Sequence, residues 1–233
     1  MIREALARTP IARSRRFRRH VSPAASPWPL EYLGTSYGGW AIPEQLLSTD
    51  SVCYSAGVGT DVSFDVELIR RYGCTVNAFD PTPTSMAFIE QSALPENFNF
   101  HPWAVGASDG QREFRLYNER DGSASMVLGR LGTPFVAPCR TIASIMDELG
   151  HDHLDLLKLD IEGAEYEVLD SLEADGIRSR ILCVEFHRTP LIRPMVRAVR
   201  RLREAYAPLD VSYFDTTWVA RDELERRKEP TSA

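Results

Sequence analysis

Three stretches of the chain hold residues whose types and spacing suit a reaction. SVCYSAGVGTDVSFD (51–65) runs an apolar strand into Gly57 and Gly59. Two glycines one residue apart after a strand let backbone pass close to a ligand. The dinucleotide fingerprint adds a third glycine, and this chain has Val62 at that position. TVNAFDP (75–81) ends a second strand on Asp80. That carboxylate follows the glycines by about twenty residues, the spacing at which it accepts hydrogen bonds from both hydroxyls of a ribose. LLKLDIEGAEYEVL (156–169) and RILCVEFH (180–187) end two further strands on Asp160, Glu162, Glu185 and His187.

The glycine pair and Asp80 together point to a nucleoside. A phosphate cradle gathers backbone N–H groups and often Lys or Arg. Around this loop stand instead Ser55, Thr60, Asp61 and Asp65. Two acids repel a pyrophosphate and welcome a cation, so the charges favour S-adenosylmethionine, whose sulfonium is positive, over NAD. The expected cofactor contacts are Ser55, Gly57, Val58, Gly59, Asp61, Asp80 and Pro81, with Trp103 and Ala104 from the end of a third strand.

Strand alternation sends Lys158 and Asp160 to one face. A buried ammonium needs a partner, so Lys158 is expected to pair with Asp160 or Glu185 and to orient them; the alternative is a stem that snorkels to water. Methyl transfer from a sulfonium is an in-line displacement in which a base takes the proton of a protic acceptor. His187, with an unperturbed pKa near neutrality, is the expected base, oriented by Glu185 or Asp160. A divalent cation on Asp160, Glu162 and Glu185 is the less favoured route, and no metal site is assigned. HDHLD (151–155) precedes a strand and therefore reads as a solvated loop at the opposite edge of the sheet. TSYGGW (35–40) reads either as a flap over the ligand or as packing of the entering chain, and the loop around Asp121–Ser125 as a second lid.

These residues need a scaffold that brings them to one rim. Strands alternate with helices from residue 31 onward, which predicts a parallel sheet covered on both faces, with ligands outside the carboxyl ends of its strands. TIASIMDELG (141–150) is the clearest amphipathic helix, and LDVSYF with TTWVA reads as a closing hairpin. The expected organisation is a basic, Pro-containing arm (1–30), one domain (31–222) and a polar tail (223–233). Residues 1–20 are Arg-rich and read as an arm packed on the domain or on a partner; the alternatives are contact with an anionic membrane surface or a transit-type presequence. The net charge of −6 argues against nonspecific nucleic-acid binding, and no apolar run is long enough to span a bilayer. Cys53, Cys74, Cys139 and Cys183 are scattered and read as free thiols in a reducing cytoplasm. Of the 27 basic residues only Lys158 and Lys228 are lysine.

Lys158, Asp160, Glu162, Gly163, Ala164 and Glu165 match K-x-D-x-E-G-A-E, the hallmark of the FkbM family of S-adenosylmethionine-dependent methyltransferases, which the chain resembles over about residues 50–190. The glycine loop, Asp80-Pro81, AVG with a following DG (104–106, 109–110) and V-E-F-H (184–187) also fit. The resemblance implies a Rossmann-like class I methyltransferase fold: a mostly parallel seven-stranded sheet, helices on both faces, and a closing antiparallel hairpin. It further implies O-methylation of a sugar, glycan or secondary-metabolite hydroxyl. The chain departs from the pattern at Ser55, where methyltransferases of this fold commonly carry the acid that meets the cofactor's amino group, and at Asp80, where Glu is frequent. Asp61 is one acid that can stand in for the first. The competing functions are an NAD(P)-dependent oxidoreductase, opposed by Val62 and by the absence of a Tyr-x-x-x-Lys pair, and a noncatalytic binding module.

Overall fold

The computed structural model describes residues 17–117, 124–125, 132–187 and 192–227. An antiparallel hairpin of β1 (Leu30–Leu33) and β2 (Trp40–Pro43) precedes β3 (Val52–Ala56), α1 (Ser63–Tyr72), β4 (Thr75–Phe79), α2 (Pro83–Glu90) and β5 (Phe98–His101). A small sheet follows, built from β6 (Ala104–Val105), β7 (Gly110–Leu116), β8 (Ala124–Ser125) and β9 (Thr133–Arg140). The chain then runs through α3 (Ile142–Leu149), β10 (Leu154–Leu159), α4 (Glu165–Ala174), β11 (Ser179–Glu185), α5 (Ile192–Ala205), β12 (Tyr206–Ser212), β13 (Asp215–Ala220) and α6 (Arg221–Arg226).

The central sheet has seven strands in the order β12-β13-β11-β10-β3-β4-β5. All pairings from β11 across to β5 are parallel, and β13 runs antiparallel to both its neighbours. The closing hairpin read from the sequence is therefore β12–β13. From β3 the chain winds outward through β4 and β5, then returns to lay β10 on the other side of β3. That reversal opens a crevice at the carboxyl ends of β3 and β10.

Both faces of the sheet are covered, so its middle strand is apolar on both sides. Every residue of β10 is buried. Leu157 and Leu159 pack on one core with Val168 and Leu172 of α4, while Leu156 faces the other core with Leu68 of α1 and Ile42 of β2. Burying one such leucine contributes roughly 1.5–3 kcal/mol. The helices stop where the sequence predicts: α1 at Gly73 and α3 at Gly150, both in the left-handed region. Asp109 of the DG pair closes the start of α3, accepting from the Thr141 N–H at 2.8 Å and from the Ser144 hydroxyl at 2.5 Å.

Several expectations change. The third strand, expected to reach Trp103 and Ala104, is two: β5 ends at His101, and β6 pairs with β9 in the small sheet. The strand β9 went unread because Pro134 and Pro138 interrupt its sequence pattern, yet it pairs along its length with β7. The arm, by contrast, packs on the domain over residues 17–29, one of the placements read for it: Phe17, Val21 and Trp28 are buried, and the Ala24 N–H donates to the Pro208 carbonyl. Glu223, assigned to the tail, is buried against Arg180. The remainder of the basic stretch, residues 1–16, lies outside the described residues, as does most of the second lid (residues 121–123). No described helix is long and apolar enough to cross a membrane. All four cysteines are free and buried.

Candidate active site

The crevice is closed on one side by the glycine loop. Gly57 has φ 83°, and a Cβ there would sit 1.6 Å from the Asp160 carbonyl oxygen. Glycine is thus demanded at this position by the neighbouring strand rather than by the approach of a ligand. Asp80 then fixes the loop. Its Oδ2 accepts the Val58 and Gly59 N–H groups at 3.0 and 2.9 Å, and its Oδ1 accepts the N–H and hydroxyl of Thr82 at 2.8 and 2.7 Å. From the other side, the Lys158 ammonium donates to the Gly57 carbonyl at 2.7 Å and pairs with Asp160 at 3.7 Å. The partner expected for this lysine is therefore Asp160, with the loop itself as a second.

The opposite wall is built on His187. Its Nδ1 lies 2.7 Å from Oε1 of Glu165, a carboxylate with no solvent exposure. Glu165 opens α4 and also accepts the N–H groups of Ile161 and Gly163, both at 3.1 Å. The Tyr166 hydroxyl donates to the His187 carbonyl at 2.7 Å. With the ring so held, Nε2 faces Glu162 at 3.3 Å, Glu185 at 3.7 Å and Asp160 at 3.8 Å. Glu162 reaches this position from a left-handed backbone, φ 53°, a conformation that costs a non-glycine residue about 1 kcal/mol or more.

Charge in this wall is crowded. Burial opposes protonation of His187, but the hydrogen bond and charge of Glu165, with Glu185 and Asp160 behind them, win and push the imidazole up to about 10. Burial, then the charge of Asp160, raises Glu185. The same causes push Asp215, its register partner on β13, up to about 6. The imidazole expected to have a near-neutral pKa is protonated at neutral pH.

Between the two walls lies a cavity of about 240 Å³. Of the residues expected at the cofactor, Gly57, Val58, Gly59, Asp61, Asp80, Pro81 and Ala104 line it, and so do Asp160, Glu185 and His187. Ser55 and Trp103 do not. Ser55 is buried beside Lys158 in the sheet, and Trp103 packs at a tilt on His101, ring centroids 4.8 Å apart, with the Arg140 guanidinium over its ring. Asp215, Phe114 and Tyr37 line the cavity without having been singled out as ligands. Asp215 reaches it only through the β11–β13 pairing, a long-range register that no local pattern encodes. HDHLD lies at the start of β10, away from the cavity, with Asp155 paired to Arg180 and His151 bonded to Tyr54. One ligand atom each from Asp160, Glu185 and His187 lie within 4.8 Å of one another. This is close enough to surround a single cationic group.

The methyltransferase FkbM domain matches residues 48–206, which contain the glycine loop, Asp80 and the His187 wall. The chain belongs to the FkbM methyltransferase family. It is also similar to two proteins named probable methyltransferase-like protein 24. It is 28% identical to the one from Rattus norvegicus over 71% of this chain and 39% of that protein. To the one from Homo sapiens it is 26% identical, over 63% of this chain and 35% of that protein. The chain thus spans little more than a third of the length of these relatives.

Proposed function

We propose that this FkbM-family protein is an S-adenosylmethionine-dependent O-methyltransferase acting on a hydroxyl of a sugar, glycan or secondary metabolite. The observation that carries the reading is the shared cavity: the glycine loop with Asp80 forms one wall, and the His187–carboxylate cluster forms the other. A donor that is a nucleoside at one end and a cation at the other suits both. Its sulfonium supplies an electrophilic methyl group.

Asp80 would meet the ribose. Its four acceptor positions are taken, but the Thr82 hydroxyl has one proton and two acceptors, Asp80 at 2.7 Å and Ser85 Oγ at 2.7 Å. Turning that proton to Ser85 frees Asp80 for a ribose hydroxyl. Asp160 would hold positive charge at the reacting end, with the Glu185 carboxyl group beside it. The donor, when bound, would supply an electrophilic methyl group to the acceptor oxygen, and His187 is the residue placed to take the hydroxyl proton. An imidazolium cannot accept a proton, so this role requires a sulfonium held between the walls to lower the imidazole pKa again, by like-charge repulsion. Turnover should therefore rise with pH across neutrality; a flat profile would assign the proton to a carboxylate.

The reading is tested by thermal unfolding with S-adenosylhomocysteine, NAD and NADP in parallel. A ligand specific to the native state at a hundredfold excess over its Kd stabilises by about 2.7 kcal/mol. A shift with S-adenosylhomocysteine alone supports the donor and opens a screen of labelled methyl transfer to sugars. A shift with NAD or NADP alone overturns it in favour of an oxidoreductase.

A further inference from the structure

The turn between β1 and β2 closes the cavity beside the glycine loop, and its construction is more elaborate than a connection requires. The Thr35 N–H donates to Ser63 Oγ at 2.8 Å, and the Thr35 carbonyl accepts the Gly39 N–H at 2.9 Å and the Tyr32 hydroxyl at 2.8 Å. A Cβ on Gly39 would lie 2.5 Å from two carbonyl oxygens, and one on Gly38 would lie 3.0 Å from the Asp61 carboxyl group. The turn is seated directly on Asp61.

The contact that matters is the Thr35 hydroxyl. It accepts the N–H groups of Gly38 at 3.1 Å and Tyr37 at 3.3 Å, so its lone pairs are engaged and its single proton is left for Asp61 Oδ2, at 2.5 Å. The Ser63 N–H holds Oδ1 at 2.9 Å. Asp61 accepts from the Thr35 hydroxyl and from both the N–H and the hydroxyl of Ser63, which leaves one of its four lone-pair directions, and the carboxylate lines the cavity. Burial disfavours its charge, but the hydrogen bonds from Ser63 and Thr35 prevail and hold its pKa below the ordinary carboxylate value. Lys158, the lysine lining this cavity, gives its ammonium to Gly57 and Asp160 instead. An oriented, ionised carboxylate facing a ligand cavity is an acceptor for a cation.

We propose that Thr35 is a positioning residue that aims Asp61 at the positively charged amino group on the amino-acid end of the donor. This rests on the donor reading above. Asp80 holds the glycine loop, Asp61 follows it in sequence, and both line the cavity, so a nucleoside whose ribose meets Asp80 leaves Asp61 for its other end. Ser55 is buried outside the cavity and cannot take this role.

The test is calorimetric binding of three ligands to the full chain. S-adenosylhomocysteine has the amine and the carboxylate, its decarboxylated form keeps only the amine, and 5′-methylthioadenosine has neither. Thr35→Val should weaken the two amine-bearing ligands about tenfold, the loss of one charge-assisted hydrogen bond's worth of orientation. It should leave 5′-methylthioadenosine within about twofold, which also certifies the fold. Thr35→Ser, which keeps the hydroxyl, should bind all three like the wild type, and Asp61→Asn should repeat the amine-selective loss. Equal weakening of all three ligands by Thr35→Val, or none, overturns the role of Thr35. Failure of the wild type to bind any of the three overturns the donor reading itself, and this inference with it.

Discussion

The two walls of the cavity are built on opposite principles. In the glycine-loop wall, polar groups are matched: Asp80 has four donors, and the Lys158 ammonium has the Gly57 carbonyl and Asp160. In the His187 wall, carboxylates outnumber the cation that joins them, and burial with mutual repulsion lifts Glu185 and Asp215 above the usual carboxylate range. One wall is complete by itself. The other is short of positive charge, which is what a sulfonium donor brings. On the function proposed above, the difference separates recognition, done by preset backbone and fixed hydrogen bonds, from chemistry, done where charge is left unbalanced.

Substitutions can break each wall in its own way. Gly57→Ala should have the largest effect, about 4 kcal/mol or more, because its Cβ would overlap the Asp160 carbonyl and its backbone is left-handed. Urea unfolding checks it, and the loss should be the same at every pH between 6 and 9. Glu165→Gln comes next. An amide cannot accept from two N–H groups and also neutralise His187, so about 3 kcal/mol of stability should go. An NMR titration of the imidazole should then show His187 losing its proton at a lower pH than in the wild type.

The third effect is tied to pH. His187 has a folded pKa near 10, against 6.5 for the free side chain. Its contribution is therefore complete below pH 6.5 and is lost as pH rises through about 10. The stability margin of the wild type over His187→Gln should be about 2 kcal/mol at pH 6 and shrink toward pH 10. A margin that grows with pH would mean that the charge crowding has been misread. Asp109→Asn touches neither wall and should cost least, about 0.5–1 kcal/mol given its exposure. The hydrogen bond from Ser144 and then that from the Thr141 N–H lower the Asp109 pKa. Its contribution is present above the ordinary carboxylate pKa and disappears as pH falls through the lowered one, opposite in sense to His187.

Much of this arrangement can be read in the chain without coordinates. Period and punctuation place the central strands, the helix stops at Gly73 and Gly150, and the rim on which Asp80, Asp160, Glu185 and His187 meet. What escapes is whatever depends on pairing across long separations. Prolines conceal β9, Asp215 is silent until β13 is set beside β11, and nothing local distinguishes Trp103, packed on His101 outside the cavity lining, from a ligand contact. The reason for Gly57 is also invisible in sequence, because the atom that excludes a side chain belongs to a strand more than a hundred residues later.

The seating of Phe17 has a consequence for how the protein is made. Its ring packs 5.5 Å from Phe186 and 5.4 Å from Phe214, the residues immediately before His187 and Asp215. Arg203 also donates to the Val21 carbonyl across 182 residues of chain. The segment around Phe17 thus has nowhere to dock until the β12–β13 hairpin, far along the chain from it, has been made. The rim carrying His187 is therefore settled only when segments widely separated in sequence have come together, a non-local step that is slow relative to forming a helix or hairpin.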